Sequence, residues 1–211
     1  VLAAQGRSFS AGADLNWMKA MAGYSRAENV EDARRLARLM QCLNGLPKPT
    51  LALVQGAAFG GGVGLVACCD IAIAVEEAKF CLSEVKLGLI PAVISPYVVA
   101  KIGESAARRY FLTAEAFSAW EAERLGLVHE VVDRRKLESR GRQVVDALLE
   151  GGPQAQRAAK GLVFSVSGRA PSDENLMEET ANRIAELRAS EEGREGIRAF
   201  LEKRRPHWRE E

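Results

Sequence analysis

The chain has 211 residues, with 29 Lys and Arg against 28 Asp and Glu, so its formal net charge is +1. This balance gives no global field that would attract nucleic acid or an anionic membrane, and we expect neither partner. Hydrophobic residues make up 47% and charged residues 27%, which excludes a disordered chain and predicts a soluble folded protein. At roughly 150 residues per domain, one domain with an appendage is expected.

Cysteine usage and the N-terminus bear on cellular location. We expect reduced, mostly buried thiols, because no C-x-x-C pair or dense disulfide scaffold is present among Cys42, Cys68, Cys69 and Cys81. Residues 1–7 lack the basic, apolar and cleavage segments of a signal peptide, so a cytoplasmic location is predicted. Residues 1–4 look like the end of a strand, and we expect that an N-terminal piece of the natural protein is missing.

Along the chain, the first predicted elements alternate between helix and strand. Residues 51–75 are apolar enough to suggest a membrane span, but Gln55, Asp70 and five glycines argue against one. Periodicity and glycine placement instead predict, in order, a helix over 28–43, a strand over 51–54, a loop over 56–61, a helix over 62–69 and a strand over 71–75. This alternation indicates an α/β fold.

The second part of the chain is mostly helical by pattern. Helices are predicted over 95–102, 105–112 and 115–124, a strand over 128–132, and then helices over 137–149, 154–166, 173–188 and 191–204. The predicted organisation is an α/β core over 1–135 followed by a helical C-terminal region over 136–211.

Several short motifs give only weak indications of function. Gly62-x-Gly64-x-x-Ala67, with Glu84 downstream, matches a dinucleotide fingerprint superficially, but Glu84 lies beyond the next strand and a further turn. Ser83-x-x-Lys86 lacks the companion motifs of a serine acyltransferase. The two histidines, His129 in a strand-like segment and His207 in a charged tail, do not suggest metal or triad chemistry, and no metal is expected.

Two glycine-containing turns remain, over 9–15 and 56–62, each between a predicted strand and a helix. Glycine lets a backbone approach a ligand closely, and a helix N-terminus adds partial positive charge. Two N–H groups that converge on one oxygen would form an oxyanion hole. The pattern alone is equally typical of tight structural turns.

The residues of these turns resemble the enoyl-CoA hydratase/isomerase, or crotonase, superfamily, and the resemblance covers essentially the whole chain. It rests on segments 9–15, 47–62, 69–72, 78–91, 126–128 and 199–204 in this order. The resemblance implies a spiral of ββα units with a helical C-terminal trimerisation region, assembled as a homo-trimer or a dimer of trimers. It also implies that N-terminal strands and a helix precede the first motif.

The resemblance implies an acyl-CoA thioester as substrate, with coenzyme A part of the substrate and no separate cofactor. By motif, the backbone N–H groups of Ala13 and Gly61 hold the thioester carbonyl, and Glu84 is the catalytic carboxylate. The family's other glutamate, the first of the two along the chain, falls at Gly64, where this sequence has no side chain. Gly64 is therefore expected to leave room for a branched acyl chain.

The resemblance further assigns substrate contacts to Ala11, Asp14, Gly60, Gly64, Trp17, Phe200 and Lys203. Lys203 matches a lysine that meets the CoA phosphates, whereas Asn16 stands where many relatives have a lysine. For Trp17, packing in the core is the competing interpretation.

Three functions follow from this pattern. The first is hydration of a branched or carboxylated enoyl-CoA such as 3-methylglutaconyl-CoA, because the segments around residues 57–65 and 89–96 look like bacterial hydratases of 3-methylglutaconyl-CoA or isohexenylglutaconyl-CoA. The second is Δ3,Δ2-enoyl-CoA isomerisation, for which Glu84 alone would suffice as the base. The third is a non-catalytic module that binds CoA esters or a partner.

Overall fold

In the computed structural model, which describes residues 1–209, seven short strands form two sheets. They are β1 (Leu2–Ala3), β2 (Leu51–Val54), β3 (Ala58–Phe59), β4 (Ile71–Val75), β5 (Lys79–Cys81), β6 (Phe117–Ser118) and β7 (Glu130–Val132). The first sheet has the order β1-β2-β4-β7 and is parallel throughout. In the second sheet, β5 pairs in parallel with β3 and antiparallel with β6.

The helices described within residues 1–209 connect these strands and then dominate the C-terminal part. They are α1 (Leu15–Met21), α2 (Arg26–Asn44), α3 (Gly61–Cys68), α4 (Ser95–Thr113), α5 (Ala119–Arg124), α6 (Leu137–Leu149), α7 (Pro153–Val166), α8 (Glu174–Ala189) and α9 (Glu191–Leu201). Single 3-10 turns cover Glu84–Leu87, Arg134–Lys136 and His207–Arg209. The α/β prediction is confirmed.

The chain twice repeats the order of a strand in the first sheet, a strand in the second sheet and a helix. The first repeat is β2, β3 and α3, and the next is β4, β5 and α4. Leu51, Ala52 and Val54 of β2 are buried, as expected for a parallel strand that is covered on both faces. This ββα repetition places the turns before α3 and after β5 beside one another.

A side-chain clamp aligns the starts of β2 and β4. The backbone N–H and hydroxyl of Thr50 donate to Asp70 Oδ2 at 2.7 and 2.8 Å, and the Asp70 N–H donates to Thr50 Oγ1 at 2.9 Å. The next residues, Leu51 and Ile71, are paired in the sheet. The clamp therefore supports the register of the two central strands.

The structure corrects the predicted elements at several points. The loop predicted over 56–61 contains β3, the further turn expected between β4 and Glu84 contains strand β5, and the helix predicted over 115–124 is replaced in its first part by β6. Strands of two or three residues carry too little periodicity to be seen in sequence, and they exist here because they pair with one another. The helix expected after the turn over 9–15, for which no bounds were predicted, is α1, and none of its residues is buried.

Other predicted boundaries agree closely. Helix α4 is broken at Gly103, with φ +75° and ψ +164°, which separates the two helical segments predicted there. Helix α2 begins with a capping box between Ser25 and Glu28. The cysteines are free thiols, with Cys42 exposed and the other three buried, as predicted.

The chain forms two compact units. The first comprises residues 1–46 and 50–141, and the second comprises 47–49 and the residues from 142 onward. The boundary falls inside α6, whereas the sequence predicted a division after residue 135. No helix described within residues 1–209 combines the length and apolar character that a membrane span requires.

Candidate active site

The loop before α1 is held against the second sheet by backbone hydrogen bonds. The Ser10 N–H donates to the Ala57 carbonyl at 2.9 Å, and the Phe59 N–H donates to the Ser10 carbonyl at 2.9 Å. Gly12 then adopts φ +109°, a conformation that favours glycine, and turns the chain toward α1. Ala13 is exposed and lies directly before the residue that caps the helix.

Asp14 has a structural role in this turn. Its carboxylate accepts hydrogen bonds from the backbone N–H groups of Asn16 and Trp17 at 2.8 and 2.9 Å, which makes it the N-cap of α1. The cap satisfies two backbone N–H groups of the first turn of α1, directly after Ala13.

The second turn leads into α3. Gly60 has φ +53° and ψ −120°, and its N–H donates to the Cys81 carbonyl at 2.8 Å. Gly61 is the first residue of α3, where a backbone N–H has no acceptor within the helix. Its N–H is therefore positioned as an anion-binding donor at the positive end of the helix dipole.

Close contact between Ser10 and Gly62 brings the two turns together. A Cβ atom on Gly62 would lie 2.6 Å from Ser10 Cβ and 2.9 Å from Ser10 Oγ, so only glycine fits there. This contact sets the loop that carries Ala13 against the start of α3. The proximity of the two turns is what an oxyanion hole requires.

Glu84 lies beside the second turn. It follows β5, begins a 3-10 turn, and places Oε1 3.2 Å from the position of a Cβ atom on Gly60. Oε2 is buried and has no hydrogen-bond partner among the described residues. Burial raises the pKa of the Glu84 carboxyl, while a hydrogen bond from its own backbone N–H lowers it to a smaller extent. A partly desolvated carboxyl with a raised pKa and one oxygen free of hydrogen bonds is suited to proton transfer.

The expectation of free space at Gly64 is wrong. A Cβ atom on Gly64 would lie 2.2 Å from Ile94 Cγ2 and 3.4 Å from Met40 Cε. Gly64 is buried under Ile94, itself 3% exposed, so the volume beside it is filled by this side chain. The glycine permits close packing between α3 and the segment that precedes α4.

Trp17 does not pack in the core. It is 36% exposed, and its indole Nε1–H donates to Asp32 Oδ1 at 3.2 Å, which links α1 to α2. Ala11 is also exposed. Ala11 precedes the N-cap residue Asp14 by three positions, and Trp17 lies in the first turn of α1.

Phe200 and Lys203 belong to the second compact unit. Phe200 lies near the end of α9 and is 83% exposed, and Lys203 follows the helix with φ +54°. Their predicted contact with substrate stays a prediction.

A basic cavity in the first unit was not predicted from the sequence. It has a volume of about 570 Å³ and opens where the strands of the first sheet end; its lining includes Arg7, Ser8, Phe59, Glu77, Lys79 and Arg134. Three cations face one carboxylate there, and Arg134 lies 3.8 Å from Glu77. The three cations come from distant parts of the sequence, so only the fold brings them together.

The surroundings of His129 and Cys68 indicate structural rather than catalytic roles. The Ala72 N–H donates to His129 Nδ1 at 3.1 Å, and burial lowers the pKa of His129. Burial also raises the pKa of the Cys68 thiol to about 12, which makes it unreactive. Within residues 1–209, no group of three or more His, Cys, Asp or Glu side chains could hold a metal ion.

Comparisons with known proteins identify the family of the chain. The sequence profile of a family described as enoyl-CoA hydratase/isomerase matches residues 1–211. A crystal structure of an enoyl-CoA hydratase from Shewanella pealeana superposes with a TM-score of 0.93 and is 54% identical, over 97% of this chain and 76% of that chain.

Two curated relatives cover nearly the whole chain. A putative enoyl-CoA hydratase from Thermus thermophilus is 35% identical over 208 residues, which are 99% of this chain and 81% of that protein. A mevalonyl-coenzyme A hydratase from Aspergillus fumigatus is 35% identical over 219 residues, covering 99% of this chain and 77% of that protein. The chain therefore belongs to the enoyl-CoA hydratase/isomerase, or crotonase, family and is an enzyme of the lyase type.

Proposed function

We propose that the protein is an enoyl-CoA hydratase that adds water across the 2,3 double bond of a branched or carboxylated enoyl-CoA, such as 3-methylglutaconyl-CoA. The observation that carries this proposal is the Glu84 carboxyl beside Gly60 and the N-terminus of α3, with its Oε2 buried and without a hydrogen-bond partner among the described residues. It combines a proton-transfer group with oxyanion donors in one place.

The chemistry balances with one protein carboxylate. The water oxygen bonds to C3 while the electrons of the double bond move toward the thioester carbonyl, forming an enolate. The N–H groups of Ala13 and Gly61 stabilise the enolate oxygen, where each donor contributes about 3 kcal/mol by analogy with other oxyanion holes. Glu84 accepts one proton from the water and returns it to C2, so the enzyme ends in its starting state.

The packing around Gly64 supports a carboxylated substrate. With Ile94 against this glycine, the protein offers no carboxylate from this position of α3 to orient the water. We therefore assign the second water contact to a carboxylate on the substrate itself. The branch at C3 is supported by the mevalonyl-coenzyme A hydratase relative, because a mevalonyl chain carries a methyl group at C3.

The basic cavity supports binding of the nucleotide part of coenzyme A. Arg7, Lys79 and Arg134 supply donors for phosphate oxygens, and Ser8 and Phe59 connect the cavity to the two turns of the site. We add Phe200 and Lys203 as further CoA contacts, and Ala11, Asp14 and Trp17 as the rim of the thioester site. A cytoplasmic homo-trimer or dimer of trimers is proposed as the working form.

The test is a comparison of four thioesters that differ in two features. Crotonyl-CoA has neither branch nor carboxylate, 3-methylcrotonyl-CoA has the branch, glutaconyl-CoA has the carboxylate, and 3-methylglutaconyl-CoA has both. Loss of the enoyl-thioester absorbance is followed for wild type and for Glu84→Gln. We expect the highest kcat/KM with the doubly substituted thioester and at least a hundredfold loss in Glu84→Gln, within the range of about 10²–10⁴ for a general acid–base group. Equal turnover of 3-methylcrotonyl-CoA would remove the role of the substrate carboxylate.

A second candidate is Δ3,Δ2-enoyl-CoA isomerisation. It is favoured by the same observation, a single protein carboxyl, because Glu84 could remove a proton from C2 and return it to C4. A 3-enoyl-CoA that is converted to its 2-enoyl isomer, together with no consumption of any of the four 2-enoyl thioesters, would support this candidate over hydration.

A further inference from the structure

The carboxyl of Glu84 is carried by a very short element. The 3-10 turn Glu84–Leu87 ends at Gly88, which has φ +70°, and the N–H groups of Gly88 and Leu89 donate back to the carbonyl of Glu84. An isolated 3-10 turn has poor hydrogen-bond geometry and little stability of its own. The orientation of the carboxyl therefore depends on contacts that hold the turn from outside.

One buried carbonyl oxygen, that of Ala114, accepts one hydrogen bond from a residue before this turn and one from a residue within it. Lys86 Nζ donates to it at 2.7 Å, and Cys81 Sγ donates to it at 3.4 Å. Cys81 is the last residue of β5 and precedes Glu84, whereas Lys86 follows it. The segment 81–86, which contains Glu84, therefore has both of its end residues hydrogen-bonded to the Ala114 carbonyl.

Ala114 is itself held in an unusual conformation. It is the C-cap of α4, is fully buried, and has φ +47° and ψ +33°, a left-handed geometry that is uncommon for alanine. Its carbonyl lies at the negative end of the α4 dipole, where an ammonium group is favoured. The hydrogen bond from Lys86 is charge-assisted, and such bonds are roughly twice as strong as neutral ones.

We propose that Lys86 is a positioning residue that holds the Glu84 turn in its reactive orientation through the carbonyl of Ala114. This inference rests on the proposed function, in which Glu84 moves the proton. Lys86 does not touch the substrate in this scheme. It acts by limiting rotation of the 3-10 turn relative to α4.

The test compares Lys86→Met, which keeps the aliphatic stem, with Lys86→Arg, which keeps the charge and the donor. The matched control is Arg109→Met. This variant removes a cation from the same end of α4, where the guanidinium of Arg109 donates its hydrogen bonds to the Glu115 carboxylate rather than to the Ala114 carbonyl. All variants are assayed as full chains with the best thioester of the panel, at a temperature where circular dichroism shows them folded.

We expect Lys86→Met to lower kcat about tenfold or more with KM within twofold, because small misplacements of a catalytic group are costly. Lys86→Arg should recover most of the loss, and Arg109→Met should stay within twofold of wild type. A kcat within twofold of wild type in Lys86→Met, or an equal loss in Arg109→Met, would overturn the proposal.

Amide hydrogen exchange gives a readout that does not depend on turnover. Lys86→Met should raise the exchange rates of the Gly88 and Leu89 amides about tenfold, while Lys86→Arg and Arg109→Met leave them near wild type. Unchanged exchange in Lys86→Met would also overturn the proposal. If wild type consumes none of the thioesters, the proposed function fails, and exchange still decides whether Lys86 anchors the turn.

Discussion

Glu84 Oε1 lies 3.2 Å from the position that a Cβ atom would occupy on Gly60, and Gly60 has φ +53°. Glycine is thus favoured by the backbone conformation, and a Cβ atom at this position would also press closely against the Glu84 carboxyl. This relationship connects the turn before α3 directly to the group proposed to move the proton.

Replacement of Gly60 by alanine should therefore impair both folding and catalysis. We expect Gly60→Ala to lower the free energy of unfolding by about 1–3 kcal/mol, the cost of a strained backbone conformation. Displacement of Glu84 should lower kcat about 10- to 100-fold. Urea unfolding and steady-state kinetics measure the two effects. Gly161→Ala, in open space on α7, is the control and should change stability by no more than about 1 kcal/mol. Wild-type kcat in Gly60→Ala would show that the Cβ is accommodated.

The raised pKa of Glu84 predicts that the difference in stability between wild type and Glu84→Gln depends on pH. Because burial raises the pKa in the folded state, folding favours the protonated carboxyl, and this contribution is lost as the pH rises through the folded-state pKa. Glutamine cannot ionise. Glu84→Gln should therefore have a higher Tm than wild type at pH 8, and the difference should shrink toward pH 4. Thermal unfolding across this range is the measurement, and a difference that does not change with pH would contradict the burial effect.

The contact between Gly64 and Ile94 predicts strong coupling between the two positions. Gly64→Ala places a methyl group 2.2 Å from Ile94 Cγ2 and should cost about 1–3 kcal/mol through overpacking. In an Ile94→Ala background, the added methyl group enters the space that the isoleucine vacates, so the same change should cost much less. A double-mutant cycle by urea unfolding measures the coupling. Additive effects would mean that the two side chains do not share this space.

The clamp at Thr50 predicts a stability effect at the start of the central strands. Thr50→Val keeps the shape but removes the hydroxyl that donates to Asp70 and accepts from its N–H. We expect a loss of about 1–3 kcal/mol, because buried polar groups lose a partner. Thr180→Val is the matched control, since the Thr180 hydroxyl bonds only to carbonyls of its own helix, and its effect should be within about 0.5 kcal/mol. Equal losses in both variants would argue against a specific role of the clamp.

The basic cavity predicts a substrate-binding effect. Arg7→Met should raise KM for CoA thioesters about tenfold with kcat little changed, because a charge-assisted bond to phosphate contributes about 1.5–3 kcal/mol. Arg35→Met removes the same charge from the exposed face of α2 and serves as the control. KM is measured for wild type and both variants at two ionic strengths. A similar rise in KM in both variants would mean that the overall positive charge of the protein, rather than the cavity, attracts the substrate.

The sequence by itself determined the fold class, the long helices and both glycine turns. Runs such as 51–54 and 71–75 are apolar throughout, which is typical of parallel strands that are buried on both faces. The order of the motifs along the chain was enough to identify the family. Glu84, Ala13 and Gly61 were assigned by motif alone, and their catalytic roles stay predictions.

Only the tertiary structure decided what surrounds those residues. The filling of the space at Gly64 depends on Ile94, 30 positions away, and the cavity cations and the Lys86 anchor also come from separate segments. Strands β3, β5 and β6 exist through mutual pairing rather than through their own periodicity. Local sequence specifies local backbone preferences, but close packing and burial depend on contacts between distant segments, and those contacts are settled only when the whole chain folds.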